Sequence, residues 1–150
     1  MQKEFVTYEL SNDLKELGFN EPCLAIYSGE SFRLNSVIPI RKNSELNFFE
    51  DIKTQVAAPL WQQAIDWFRE VHRLDVTIKF PEPKNGRMHE GLNTSYYDIE
   101  IKHLSGGDVW NKYKFSQYSD DYYVIREKAI ECAIEEVKTM VKRINNIRNN

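Results

Sequence analysis

The sequence predicts an α+β fold: one domain, an antiparallel sheet of about four to six short strands, a central amphipathic helix and a long C-terminal helix. Three observations lead there. Ala57 to Arg73 carries Leu60, Ala64, Trp67, Phe68 and Val71 at helical spacing, opposite Gln62, Asp66, Arg69 and Arg73. Leu74, Val76, Ile78 and Phe80 alternate with polar residues, and so do Tyr97, Ile99, Ile101 and His103, which is the period of a half-buried strand. Ile125, Ala129, Ala133, Val137, Met140 and Ile144 repeat at the spacing of a long helix. A chain of 150 residues suits one domain with a sizeable core.

Taken in order, Thr7 is placed to cap a helix through Leu17, with Leu10, Leu14 and Leu17 as its apolar stripe and Glu9 in its first turn. Gly18 supplies a left-handed exit, and Phe19 folds back on Leu14 as in a Schellman ending. Asn20-Glu21-Pro22 breaks the chain. Cys23 to Tyr27 and Ser31 to Asn35 read as strands around a short loop at Ser28-Gly29-Glu30. Val37 to Ile40 reads as a third strand, set at an edge by Pro39. Asn43 or Ser44 starts a helical turn carrying Leu46, Phe48, Phe49 and Ile52. Pro59 suits the first position of the main helix, because its missing N–H would have no partner there. After the two alternating strands, Gly106-Gly107 is a turn and Val109 to Phe115 a further strand. Ser119 caps the last helix, Asp120 and Asp121 occupy its first turn, Lys142 and Arg143 suit its C-terminal dipole, and residues 145–150 are expected to fray.

Composition narrows the function classes. Twenty basic residues face 23 acidic ones, for a formal charge of −3. A general nucleic-acid binder would carry a basic surplus. No apolar run approaches a membrane span, and Met1 to Phe5 begins no signal peptide, so a cytoplasmic protein is expected. Cys23 and Cys132 lie far apart without a partner motif and read as buried thiols. No nucleophile elbow, phosphate-binding glycine loop, HExxH or paired CxxC is present.

Three places invite a site. Residues 81–93 are too long for an ordinary hairpin loop and carry Lys84, Arg87 and His89 between or beside Gly86 and Gly91, so the segment reads as a lid over an anion, or else as a plain solvated loop. On the shoulder of the main helix, Trp61, Ile65 and His72 lie beside the apolar centre with Arg69 next to them, a suitable wall for a planar anion, or else ordinary core. Ala57 and Ala58 offer no capping oxygen, so the N–H groups of Leu60 and Trp61 need another acceptor, water or an anion. Asp98 and Glu100 share a strand face, but His103 points to the other. That reads as a solvated face better than as a metal site.

Two phrases carry a resemblance: Glu16-Leu17-Gly18-Phe19-Asn20-Glu21-Pro22-Cys23, and Ala57-Ala58-Pro59-Leu60-Trp61-Gln62-Gln63-Ala64 continuing to Trp67-Phe68-Arg69-Glu70. They resemble uncharacterised small proteins encoded by phages and prophages of Bacteroides-type bacteria. The likeness covers the first half and the Ala129-to-Val137 part of the last helix, and is poor from Pro81 to Tyr118. It implies a context, an accessory protein of a mobile element in the bacterial cytoplasm that counters host defence by binding a host protein or its nucleotide signal. It assigns no role to any residue.

The leading expectation is therefore a non-catalytic binding protein that sequesters a small anionic, nucleotide-type signal. Trp61 would stack on the base. Arg69, His72, Lys84, Arg87 and His89 would contact phosphate, and no metal or cofactor is expected. One alternative is a protein-interaction module that grips a host protein or its own copy through Tyr113, Tyr118, Tyr122 and Tyr123. A homodimer is consistent with extra apolar residues on the last helix, Ile130, Ile134 and Val141. Another is a small metal-dependent nuclease or nucleotide hydrolase using Asp98, Glu100 and a histidine.

Overall fold

The computed structural model describes residues 2–34, 42–48, 55–79, 96–104, 115–118 and 122–148. The chain is α+β, with antiparallel strands and a long C-terminal helix. The strands form two three-stranded sheets rather than one, and the chain divides into two compact units, 1–67 and 68–150.

In the first unit, helix α1 runs Tyr8–Glu16 and buries Leu10 and Leu14. Thr7 sits at the N-cap position in extended conformation, but its hydroxyl makes no capping bond. The exit is the expected Schellman ending: Gly18 has φ 95°, its N–H donates to the Lys15 carbonyl at 3.0 Å, and the Phe19 N–H donates to the Leu14 carbonyl at 2.9 Å. Phe19 is thereby turned into the core against Trp67, ring centroids 5.4 Å apart. Strands β1 (Ala25–Ser28) and β2 (Ser31–Leu34) form the expected hairpin. Its two loop residues are Gly29 and Glu30, and φ 57° at Gly29 matches a type II′ turn, which wants glycine first.

The third strand, β3, is Gln55–Ala58, so the order is β2-β1-β3. This corrects the helix start: Ala57 and Ala58 are buried strand residues, not the first turn of a helix. Four residues, of which Val56, Ala57 and Ala58 are small or β-branched, carry too little periodicity to separate a buried strand from a helix start. The expected strand at 37–40 lies outside the described residues. A 3-10 helix spans Asn43–Phe48, where a helical turn was expected, and buries Leu46.

Asn43 connects this unit. Its Nδ2 donates to the Phe19 carbonyl at 2.7 Å, and its Oδ1 accepts the Ala57 N–H at 2.9 Å. Lys15 Nζ donates to the Gln55 carbonyl at 3.1 Å. Among the described residues β3 is an edge of its sheet, and these side chains satisfy backbone groups along it. On one face of the sheet Phe5, Tyr27 and Phe32 pack as a ring cluster, and Tyr27 donates its hydroxyl to the Val6 carbonyl at 3.0 Å.

Helix α2 (Trp61–His72) begins two residues later than Pro59 and crosses from the first unit into the second. Ahead of it, Leu60 forms an antiparallel bridge with Phe5, and the Val6 N–H donates to the Pro59 carbonyl at 2.9 Å. Trp61, Ala64, Trp67 and Phe68 are buried, but Val71 is 56% exposed. Helical spacing fixes the side on which a residue lies, not how far along the helix its neighbours extend. The helix stops because Arg73 adopts φ 57°, a left-handed conformation that costs a side-chain-bearing residue about 1–2 kcal/mol. Arg73→Gly is expected to stabilise the protein by about 0.5–1 kcal/mol, after the larger unfolded-state entropy of glycine is allowed for. A denaturation midpoint below that of the parent would contradict this.

The second unit places β4 (Leu74–Lys79), β5 (Tyr96–His103) and β6 (Phe115–Tyr118) in the order β4-β5-β6. β6 starts at the residue where the expected strand ended, and residues 109–114 lie outside the described ones. Helix α3 runs Tyr122–Arg148, so the expected frayed tail is helical through Arg148. Its residues Ile125, Ala129, Ala133 and Val137 are buried as spaced, and the helix packs on β4 and β5. Ile130 and Ile134 are buried as well, so they offer no free apolar side for self-association; Val141 remains exposed. Among the described residues no helix is long and apolar enough to cross a membrane.

Candidate functional site

Alternation sorts the second sheet into two faces. Leu74, Val76, Ile99 and Ile101 are buried on one. The register pairs Asp75 with Lys102, Thr77 with Glu100 and Lys79 with Asp98, which sets these six residues on the other. A carboxylate on a polar face is ordinarily solvated. Glu100 is not: its side chain is 7% exposed. Its Oε2 lies 2.5 Å from Lys79 Nζ and 3.0 Å from Lys102 Nζ. The two ammonium groups thus converge on one oxygen, while their own side chains stay 50% and 34% exposed.

Beside this cluster Arg69, from the last turn of α2, reaches Asp75. Its Nε and Nη2 lie 3.1 and 3.0 Å from Asp75 Oδ1, and Thr77 donates its hydroxyl to Asp75 Oδ2 at 3.3 Å. The face therefore carries three cationic side chains, Arg69, Lys79 and Lys102, interleaved with three acidic positions, Asp75, Asp98 and Glu100. Basic groups held within one patch and open to water are suited to hold an oxyanion.

The expected site residues fall in different environments. Trp61 is 4% exposed and donates its indole N–H to the Lys3 carbonyl at 2.8 Å. It presents no open ring face for a base. Arg69 is half-exposed but engaged with Asp75. His72 is half-buried with its ring 6.1 Å from that of Phe68, and burial holds its imidazole below the ordinary histidine value. It favours the neutral form, a weaker phosphate partner than expected. Lys84, Arg87 and His89 lie outside the described residues, as do the side chains of Asp98, Tyr113, Tyr118, Tyr122 and Tyr123.

His103 stands on the face opposite Glu100, as alternation requires. Its Nε2 lies 3.0 Å from Oε1 of the buried Glu136 on α3. Among the described residues no group of three or more His, Cys, Asp or Glu side chains is placed to hold a metal ion. Both cysteines are free thiols; burial pushes Cys23 up to about 12 and also raises Cys132.

Lys79 and Lys102 are the pair that sequence reasoning missed. Alternation already put them on the polar face with Asp75 and Glu100. What brings them together is the register, and a connection as long as residues 80–95 leaves register open. Comparison with protein-family models, curated proteins and solved structures finds no match for this chain.

Proposed function

We propose that the protein is a non-catalytic binding protein for a small anionic ligand of the nucleotide type, and that it acts as an accessory protein of a mobile element by withdrawing a signal of host defence. The observation that carries the reading is the convergence of Lys79 and Lys102 on the buried Glu100, with both lysine side chains partly exposed. Arg69 extends the cationic patch along the same face. The expected lid, residues 81–93 with Lys84, Arg87 and His89, lies outside the described residues. The reading gives phosphate contact to lysines on a sheet and releases Trp61 from the ligand to the core. The resemblance of the first half of the chain supports the setting.

The test is a thermal-unfolding screen against linear and cyclic nucleotides, with and without magnesium. A ligand at 100 times its dissociation constant adds about 2.7 kcal/mol of stability, a shift of several degrees in a domain of this size. The expected result is a clear shift with the nucleotide recovered intact. Lys79→Gln and Lys102→Gln are each expected to weaken that ligand roughly tenfold. A hydrogen bond to a charged group is worth about 1.5–3 kcal/mol, and half-exposed lysines sit at the low end. A cleaved product would indicate an enzyme. No shift with any nucleotide would contradict the reading.

A further inference from the structure

We propose that Glu100 is a positioning residue of an oxyanion site, and that Lys79 and Lys102 grip one phosphoryl group between them. The proposal rests on the anion-binding reading above and goes further by naming the site's geometry, its ligand group and the residue that builds it.

The argument starts from a single atom. Both lysine nitrogens are held by Oε2 of Glu100, so they lie no more than about 5.5 Å from one another, the sum of the two contacts. Two oxygens of one phosphoryl group can each accept from one of two ammonium groups held this close.

The layering gives each residue its part. The carboxylate is buried, whereas the lysine side chains are partly exposed, so an anion arriving from water meets the lysines before the carboxylate. Two like charges this close on long, flexible side chains would otherwise swing apart into solvent. Glu100 stands on β5, the central strand of its sheet, opposite Thr77. It holds a side chain from each of two strands at one point. Folding thereby fixes the arrangement that the ligand needs, and binding does not have to gather the lysines. Asp75, which holds the Arg69 guanidinium, stands opposite Lys102 in the register, so the same face offers a second phosphoryl group a third cation. A diphosphate or longer chain fits this layout better than a monophosphate.

The proposal predicts an effect of unexpected sign. Removing a negative charge near an anion site should tighten binding if Glu100 merely competes for the lysines. If Glu100 positions them, its loss weakens binding. The experiment is calorimetric titration of inorganic pyrophosphate and of ATP into the full chain and into Glu100→Gln and Glu100→Asp, with thermal unfolding as the check on folding. The expected result is binding by the parent, a loss of tenfold or more in Glu100→Gln, and a smaller loss in Glu100→Asp. Equal or tighter binding by Glu100→Gln overturns the positioning role and leaves the anion-binding reading standing. No binding of either probe by the parent overturns both.

A second measurement holds whether or not the variants fold: side-chain ammonium NMR of the parent. Slowly exchanging Lys79 and Lys102 signals in the ligand-free protein, both shifting when pyrophosphate is added, support the proposal. Rapidly averaged signals in the free protein overturn it.

Discussion

Trp61→Ala is expected to lower the stability of the protein by about 3–5 kcal/mol, the range for deleting a large aromatic ring from a packed interior. Trp61 is buried at the start of α2, and its indole N–H is bonded to the Lys3 carbonyl. The substitution opens a cavity and leaves that carbonyl without its donor. At about 2–4 °C per kcal/mol for a chain of this size, the thermal midpoint should fall by roughly 10 °C. Trp61→Phe separates the two contributions. It keeps most of the ring and loses the hydrogen bond, so a cost of about 1 kcal/mol is expected for the bond itself. Thermal or urea unfolding of both variants checks the result. A Trp61→Ala protein as stable as the parent would mean that the indole is dispensable to the fold, the behaviour of a ring kept for a ligand.

Asn43→Ala is expected to cost about 2–4 kcal/mol, although it removes no large side chain. Both partners of Asn43 are backbone groups, the Phe19 carbonyl at 2.7 Å and the Ala57 N–H at 2.9 Å, and both bonds are buried. Among the described residues neither group has a strand neighbour that could replace the amide. Leaving a buried donor or acceptor unsatisfied costs about 1–3 kcal/mol each. Asn43→Asp isolates the two halves. The carboxylate still accepts from Ala57, but it cannot donate to Phe19 and adds a buried charge, so it too should destabilise. Amide hydrogen exchange gives the site-specific check: Ala57 should lose protection in Asn43→Ala and keep more of it in Asn43→Asp. Unchanged protection at Ala57 in Asn43→Ala would contradict the account.

These two residues also show how far the sequence could be read. Local chemistry was legible. Gly18 and Phe19 announced a helix ending, Gly29 a hairpin turn, and the period-two runs at Leu74–Ile78 and Ile99–His103 two strands that pair in register. Long-range matters were not. Gln55–Ala58 is short, small-residue and buried, and its place beside β1 depends on Asn43 and Lys15, which sit far from it in sequence. Trp61 lay at the edge of the apolar arc on a helical projection. Its burial comes from the N-terminal residues that fold over it through Phe5 and Lys3, a contact that helical spacing does not encode. The division of the strands into two sheets follows from which strands pair, and that is decided by connections whose lengths leave several pairings open.

The same limit applies to the site. Each charged residue of the β4–β5 face was visible as polar, and a solvated face was the natural reading. A solvated face does not bury a carboxylate to 7% exposure beneath two lysines. Register, rather than residue type, turns five ordinary strand residues into a cluster, and register became visible only with the pairing of Asp75 to Lys102 and Thr77 to Glu100.

The central claim is that an anion binds on this face. The most direct measurement is a two-dimensional amide NMR titration of the full chain with pyrophosphate. The account predicts saturable shifts centred on Thr77, Lys79, Glu100 and Lys102, with smaller ones at Arg69 and Asp75. Shifts centred instead around Trp61, or none anywhere, would contradict it.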